Sequence, residues 1–137
     1  MDREAERLDR INAELNRPPP TVWSSRPVEI PDCGRDDLAE VFALRGYQTG
    51  VEVGVNEGEF SEILCRANQA ATIHSVDPWA VHGDYQHPAT HRKGPQGQIG
   101  FDLCEATTRG RLAPFPNSVI HKALSVDVAA TFADQSI

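Results

Sequence analysis

The spacing of apolar residues predicts a helix at the start of the chain. Leu8, Ile11 and Leu15 recur at helical spacing among charged residues, which predicts an amphipathic helix over residues 1–17. A triple proline follows, and residues 18–35 show no periodicity, which indicates an extended, proline-rich connector. Such a narrow apolar stripe needs a partner surface, so we expect the helix to pack on its own domain or on a second copy in a homo-oligomer.

From residue 36 to residue 137 the chain alternates between short apolar runs and longer amphipathic segments. The short runs are typical of buried strands, and the longer segments are typical of helices. In chain order we predict a helix from Asp36 or Asp37 to Leu44, a strand 50–54, a helix 59–68, a strand 72–76, a helix 99–112, a strand 119–124 and a helix 126–132 capped by Ser125. This alternation predicts an α/β fold with a doubly wound parallel sheet, whose ligands bind at the carboxyl ends of the strands.

The turn after the first predicted strand carries the strongest functional signal. Gly54 and Gly58 allow the backbone to turn tightly and to approach a ligand, and the N–H groups of the following helix point to the same place. Glu52 lies inside the apolar run, where a carboxylate is costly unless something binds it. Asp77 ends the second strand about 20 residues later, where Rossmann-type domains place the acid that binds a ribose diol. These residues predict a site for an adenosine-containing cofactor.

NAD fits this segment poorly, because its fingerprint requires a glycine where Asn56 stands. Glu52, Gly54 and Gly58 instead match the Glu/Asp-x-Gly-x-x-x-Gly motif of the class I S-adenosylmethionine-dependent methyltransferases. The segment Val76-Asp77-Pro78-Trp79 is similar to a second motif of the small-molecule type of these enzymes. The resemblance extends to a third strand that ends in serine before an alanine-rich helix, and it covers residues 36–137.

The resemblance implies a Rossmann-like methyltransferase domain that uses S-adenosyl-L-methionine and a small-molecule acceptor with an oxygen or nitrogen nucleophile. It implies that Glu52 reaches the methionine end of the cofactor and that Asp77 holds the ribose. The implied cofactor-binding residues are Glu52, Gly54, Val55, Asn56, Gly58, Asp77, Pro78, Trp79 and Ser125.

Each of these assignments has a structural alternative. A Gly-x-x-x-Gly segment after an apolar run is often only a strand-to-helix turn, and Asp77 before Pro78 is a common way to open a turn. Trp79 fits core packing as well as it fits contact with adenine. The assignment to a cofactor therefore depends on the pair of motifs at the right spacing.

Composition limits the possible partners. The chain has 137 residues, of which 39% are hydrophobic, and a net charge of -7, which disfavours a nucleic-acid partner. Cys33, Cys65 and Cys104 form no Cys-x-x-Cys pair, which suits reduced thiols in the cytoplasm. The charged start is unlike a signal peptide, and no apolar run has membrane-spanning length, so we expect no membrane association.

Residues 80–98 form a polar segment rich in glycine and proline, which is a candidate lid over the site. It contains His82, His87 and His91. A metal site or a general base among them is an alternative to exposed histidines without a role, but Pro88 prevents one regular helix from presenting all three. We predict no metal site.

The last residues, 134–137, are typical of a turn before a fourth strand. We expect the chain to be the N-terminal half of a Rossmann-like domain, truncated after its third strand, with the catalytic residues beyond Ile137. A fragment, an inactive truncated product and assembly with a second chain all remain open. The alternative functions are a non-catalytic module for adenosine ligands, a protein-interaction module and an NAD- or FAD-linked oxidoreductase.

Overall fold

The computed structural model describes residues 3–17, 33–83, 85, 87–89 and 94–134, and it has an α/β architecture. Its elements are α1 (Arg3–Leu15), α2 (Arg35–Leu44), β1 (Thr49–Val53), α3 (Glu59–Ala67), β2 (Thr72–Asp77), α4 (Gly97–Leu112), β3 (Ser118–Lys122) and α5 (Ser125–Ala129). The three strands form an open parallel sheet in the order β1-β2-β3. Each predicted helix and strand is thus present, with boundaries shifted by one to three residues at most ends.

One face of the sheet is covered by α2, α3 and α4. Ile73 of β2 is 2% exposed and belongs to an apolar cluster that includes residues from all three helices. The buried members of this cluster are Ala39, Leu64, Cys65, Ala71, Ile73 and Leu112. Burying a large aliphatic side chain contributes about 1.5–3 kcal/mol, so this cluster is a main source of the stability of the sheet.

The opposite face is covered less completely. The short helix α5 lies near β2, and the Phe132 ring packs edge-on against His74 at 4.9 Å between ring centroids. Val53 of β1 and Val119 of β3 are 63% and 37% exposed on this face. The described part of the chain therefore has one well-packed face and one partly open face.

The amphipathic helix α1 packs on its own chain. Leu8 and Ile11 are buried against Val41 of α2. Arg7 forms a two-pronged ion pair with Asp37 in the first turn of α2, with one nitrogen-to-oxygen distance of 2.7 Å. The predicted stripe thus has a partner within the chain, and the homo-oligomer stays a prediction.

The end of the described chain differs from the sequence-based expectation. Strand β3 ends at Lys122 rather than at Leu124, and the last helix ends at Ala129. Ser125 does not cap that helix: Leu124 has the extended N-cap conformation, and Ser125 is the first helical residue. The predicted connector falls largely on residues 18–32 and the predicted turn on 134–137, and only the ends of these segments lie within the described residues.

Candidate functional site

The turn between β1 and α3, residues 54–58, has an unusual backbone. Gly54, Asn56 and Gly58 have φ angles of 84°, 56° and 77°, which lie in the left-handed region. Asparagine is one of the few residues other than glycine that adopts this conformation readily. Asn56 therefore has the backbone conformation of a glycine without being one.

The two glycines of this turn serve different purposes. A side chain at Gly54 would meet no atom within 4 Å, so the backbone there borders open space. A Cβ at Gly58 would lie 3.0 Å from the Thr108 side chain of α4. Gly54 thus leaves room for a ligand beside the turn, whereas Gly58 allows α3 and α4 to pack closely.

Asp77, at the carboxyl end of β2, fixes this turn. One carboxylate oxygen accepts the Asn56 backbone N–H at 3.0 Å, and the other accepts the Trp79 backbone N–H at 2.8 Å. The second bond is the turn-forming contact that the Asp-Pro pair predicted, and the first links the loops after β1 and β2. A carboxylate offers about four acceptor sites, so each oxygen keeps capacity for a further donor.

The buried side chain of Trp79 supports the turn. Its side chain is 0% exposed and packs with Val55, Phe101 and Cys104. The indole N–H donates to the Asn56 carbonyl at 2.8 Å. The structure favours the core-packing alternative for Trp79. Val55 is 4% exposed, so it can offer a ligand only its backbone.

Glu52 of β1 is directed towards α3. Its carboxylate accepts a hydrogen bond from Ser61, and the Ser75 hydroxyl donates to Ser61 at 2.9 Å. Burial raises the pKa of Glu52 above its ordinary value of 4.5, and a smaller effect of the Asp77 charge acts in the same direction. The bond from Ser61 and the Arg35 charge oppose this rise.

Two residues of α4 also hold the turn, and neither was predicted from the sequence. The Thr108 hydroxyl donates to the Asn56 carbonyl at 3.0 Å, and the Arg111 guanidinium donates to the Glu57 carbonyl at 3.1 Å. Thr108 follows Phe101 and Cys104 at helical spacing, so its inward position was predictable from the pattern. Its partner, a backbone carbonyl 52 residues earlier, was not.

The remaining predicted site residues, Pro78 and Ser125, lie after the carboxyl ends of β2 and β3. Pro78 is half-buried directly after β2. The Ala123 N–H donates to the Asp77 carbonyl at 3.2 Å, so the chain after β3 runs beside the end of β2. Ser125 is exposed two residues further on.

The histidines of the polar segment are only partly described. His82 and His87 are exposed, while His91 and Asp84 lie outside the described residues. Among the residues that the structure does describe, no group of three or more histidine, cysteine or acidic side chains lies close enough to hold a metal ion. The possible base or metal role of this segment stays untested.

Of the described helices, none is both long and apolar enough to cross a membrane. No protein-family model matches the chain, and comparison with curated proteins and with solved structures finds no match either.

Proposed function

We propose that the loops after β1 and β2 bind S-adenosyl-L-methionine, and that the chain is the cofactor-binding part of a Rossmann-like, small-molecule methyltransferase. The observation that carries this proposal is the bond from the Asn56 N–H to Asp77, which joins a left-handed turn to the acid at the end of the neighbouring strand. A ligand that spans two adjacent strand ends needs these two loops in a fixed relation.

The residues present fit the proposed cofactor. Gly54 leaves open space beside the turn, and the Asp77 oxygens retain acceptor capacity for two ribose hydroxyls. A compound without phosphate groups needs fewer backbone donors than NAD does, which agrees with a turn whose Asn56 N–H is already bonded. Glu52, the acidic residue of β1, is the candidate for the methionine ammonium group.

Bound S-adenosyl-L-methionine supplies an activated methyl group for in-line displacement by an oxygen or nitrogen nucleophile. In this proposal the described residues bind and orient, and positioning of this kind supplies much of the acceleration in such reactions. A non-catalytic module for adenosine ligands would use the same loops, and the binding experiment below does not require turnover.

We would titrate the folded chain with S-adenosylhomocysteine, adenosine and NADH by calorimetry. The proposal predicts saturable binding of S-adenosylhomocysteine that is tighter than binding of NADH. Glu52→Gln keeps an acceptor for Ser61 but removes the charge. We therefore expect it to weaken S-adenosylhomocysteine binding about tenfold, the loss of one charge-assisted bond, and to leave adenosine binding unchanged.

Asp77→Asn should weaken both adenosine compounds, because both contain the ribose. Glu40→Gln, an exposed acid on α2, is the matched control and should bind as the parent chain does. Circular dichroism of each variant distinguishes lost contacts from lost folding. Tighter binding of NADH, or no adenosine binding by a folded chain, would refute the proposal.

A further inference from the structure

Two residues other than glycine in the described part of the chain have left-handed backbones, and both lie in the loops of the candidate site. Asn56 and Trp79 have φ angles of 56° and 39°. Asparagine adopts this region readily, but a bulky residue such as tryptophan is strained there. Strain of this kind persists only where surrounding contacts hold it, and it clusters at functional sites. The contacts that hold Trp79 therefore identify the residues that shape the loop after β2.

The backbone of Trp79 is bonded at both ends. Its N–H donates to Asp77 and its indole N–H donates to the Asn56 carbonyl, each at 2.8 Å. The Trp79 carbonyl accepts a bond from the side-chain amide of Gln98 at 2.9 Å. Gln98 lies in the first turn of α4, and its amide oxygen accepts the Val81 N–H at 3.3 Å. One side chain of α4 thus holds the backbone after Trp79, as Asp77 holds it before.

The Gln98 side chain is itself oriented by a neighbour. Its amide nitrogen also donates to the Asp102 carboxylate at 2.8 Å, one helical turn later in α4. An amide group has two N–H donors and one acceptor oxygen, so these contacts use both donors and engage the oxygen. A flipped amide would place its oxygen against the Trp79 carbonyl and the Asp102 carboxylate. Although Gln98 is exposed, its neighbours therefore determine which way its amide points.

We propose that Gln98 is a positioning residue of the cofactor site, which holds Trp79 in its strained conformation and thereby keeps the Asp77 carboxylate in the orientation that binds the ribose. This inference rests on the proposed function, and it names a residue outside both motifs that sets the affinity of that site. A relaxed Trp79 would turn its N–H away from Asp77. The carboxylate would then keep only its bond from the Asn56 N–H between the two loops.

Gln98→Met tests the proposal first without a ligand, because methionine has a similar length but lacks the amide. We expect the Trp79 amide proton to exchange with solvent about tenfold faster than in the parent chain, measured by hydrogen-exchange NMR. The Ile73 N–H donates to the Asn117 carbonyl in the sheet and reports global opening, so its exchange should be unchanged. Equally faster exchange at both positions would mean that Gln98 only stabilises the fold, and would contradict the proposal.

Calorimetric titration of the same variant tests the effect on affinity. Gln98→Met should weaken S-adenosylhomocysteine and adenosine by the same factor, about fivefold, because both contain the ribose. Gln69→Met is the matched control and should bind as the parent chain does. Gln69 is an exposed glutamine between α3 and β2, at the opposite end of β2 from the site. Unchanged affinity of Gln98→Met would overturn the proposal.

Gln98→Glu separates the hydrogen bond from the packing of the side chain. At neutral pH it keeps the length and an acceptor for Val81, but it has no donor for the Trp79 carbonyl. Adenosine carries no charge, so its affinity reports the loop rather than the added charge. We expect Gln98→Glu to bind adenosine as weakly as Gln98→Met does. If it binds as the parent chain does, the bond to Trp79 does not position the site and the proposal is wrong.

The two arms distinguish a failure of this inference from a failure of the proposed function. A folded parent chain that binds neither adenosine compound would refute the proposed function, and with it the effect of Gln98 on affinity. Faster exchange confined to Trp79 in Gln98→Met would then still show that Gln98 holds the loop. Binding by the parent chain that Gln98→Met leaves intact would refute this inference alone.

Discussion

The two faces of the parallel sheet are covered to different extents. On the face towards α3 and α4, Ile73 and Ser75 are 2% and 0% exposed, whereas Val53 on the other face is 63% exposed. Val76, near α5, is the buried exception on that second face. Since parallel sheets are normally covered on both sides, the difference shows that the described fold takes most of its apolar stabilisation from one side.

Each face also contains a polar contact between side chains of neighbouring elements. On the helix-covered face, Ser75 donates to Ser61, which donates to Glu52. On the other face, the facing ring nitrogens of His74 and His121 are 2.9 Å apart. Burial raises the pKa of Glu52 and lowers the pKa of His74, so on both faces burial favours the uncharged form.

The largest expected effect on stability comes from truncating an apolar residue on the helix-covered face, and the same change on the open face is the comparison. Ile73→Ala removes a side chain packed among three helices, and we expect a loss of about 2–5 kcal/mol in the free energy of unfolding. Val53→Ala, on the open face, should cost less than about 1 kcal/mol. Denaturant unfolding measures both. Equal losses would mean that something covers Val53 in solution.

The sequence predicted the element order well because the relevant signals are local. Apolar spacing located α1 and α4, and the glycine turn located the β1-to-α3 connection. Spacing alone singled out Asp77 as a ribose ligand, which stays a prediction, and the structure shows it bonded to the Asn56 N–H as a link between the two loops. These features depend on short stretches of chain, which periodicity and turn chemistry describe.

The contacts that were missed join residues far apart in the chain. Trp79 could be assigned to the core only once Phe101 and Cys104 were known to pack against it. The Thr108 hydroxyl donates to the Asn56 carbonyl, and no local sequence pattern predicts that this carbonyl meets α4. The cap at Ser125 is instead a local error, because Leu124, one residue earlier, takes the extended conformation that the N-cap requires.

A smaller effect tests the polar contact on the helix-covered face. Ser61→Ala removes the donor to Glu52 and the acceptor of Ser75, and both partners are then left in a buried environment. We expect a loss of about 1–3 kcal/mol at neutral pH, measured by urea unfolding. Ser75→Ala is the matched control, because it removes one bond and leaves Glu52 with its donor.

Two opposing effects on the pKa of Glu52, burial and the bond from Ser61, set the pH dependence. A raised pKa gives a contribution to stability that is present below the ordinary value of 4.5 and is lost as the pH rises through the folded-state value. The bond from Ser61 opposes the rise in pKa, so it stabilises the ionised form of Glu52 more than the protonated form. The Ser61→Ala loss should therefore be larger at neutral pH than in acid, where Glu52 is protonated and its bond is no longer charge-assisted. A loss that is the same at both pH values would mean that the contribution of the Ser61 bond does not depend on the ionisation of Glu52.

The smallest expected effect concerns the histidine pair on the open face. Burial, followed by the charge of His121, lowers the pKa of His74 below 6.5. A lowered histidine pKa means that the unfolded chain binds the proton more tightly, so stability should fall as the pH drops from 6.5 through the folded-state value. His74→Phe keeps a ring against Phe132 and removes the titration, so its thermal unfolding temperature should vary less over this interval. His87→Asn, at an exposed position, should keep the parent profile. If His74→Phe keeps the parent profile as well, the acid sensitivity of the chain does not arise from His74.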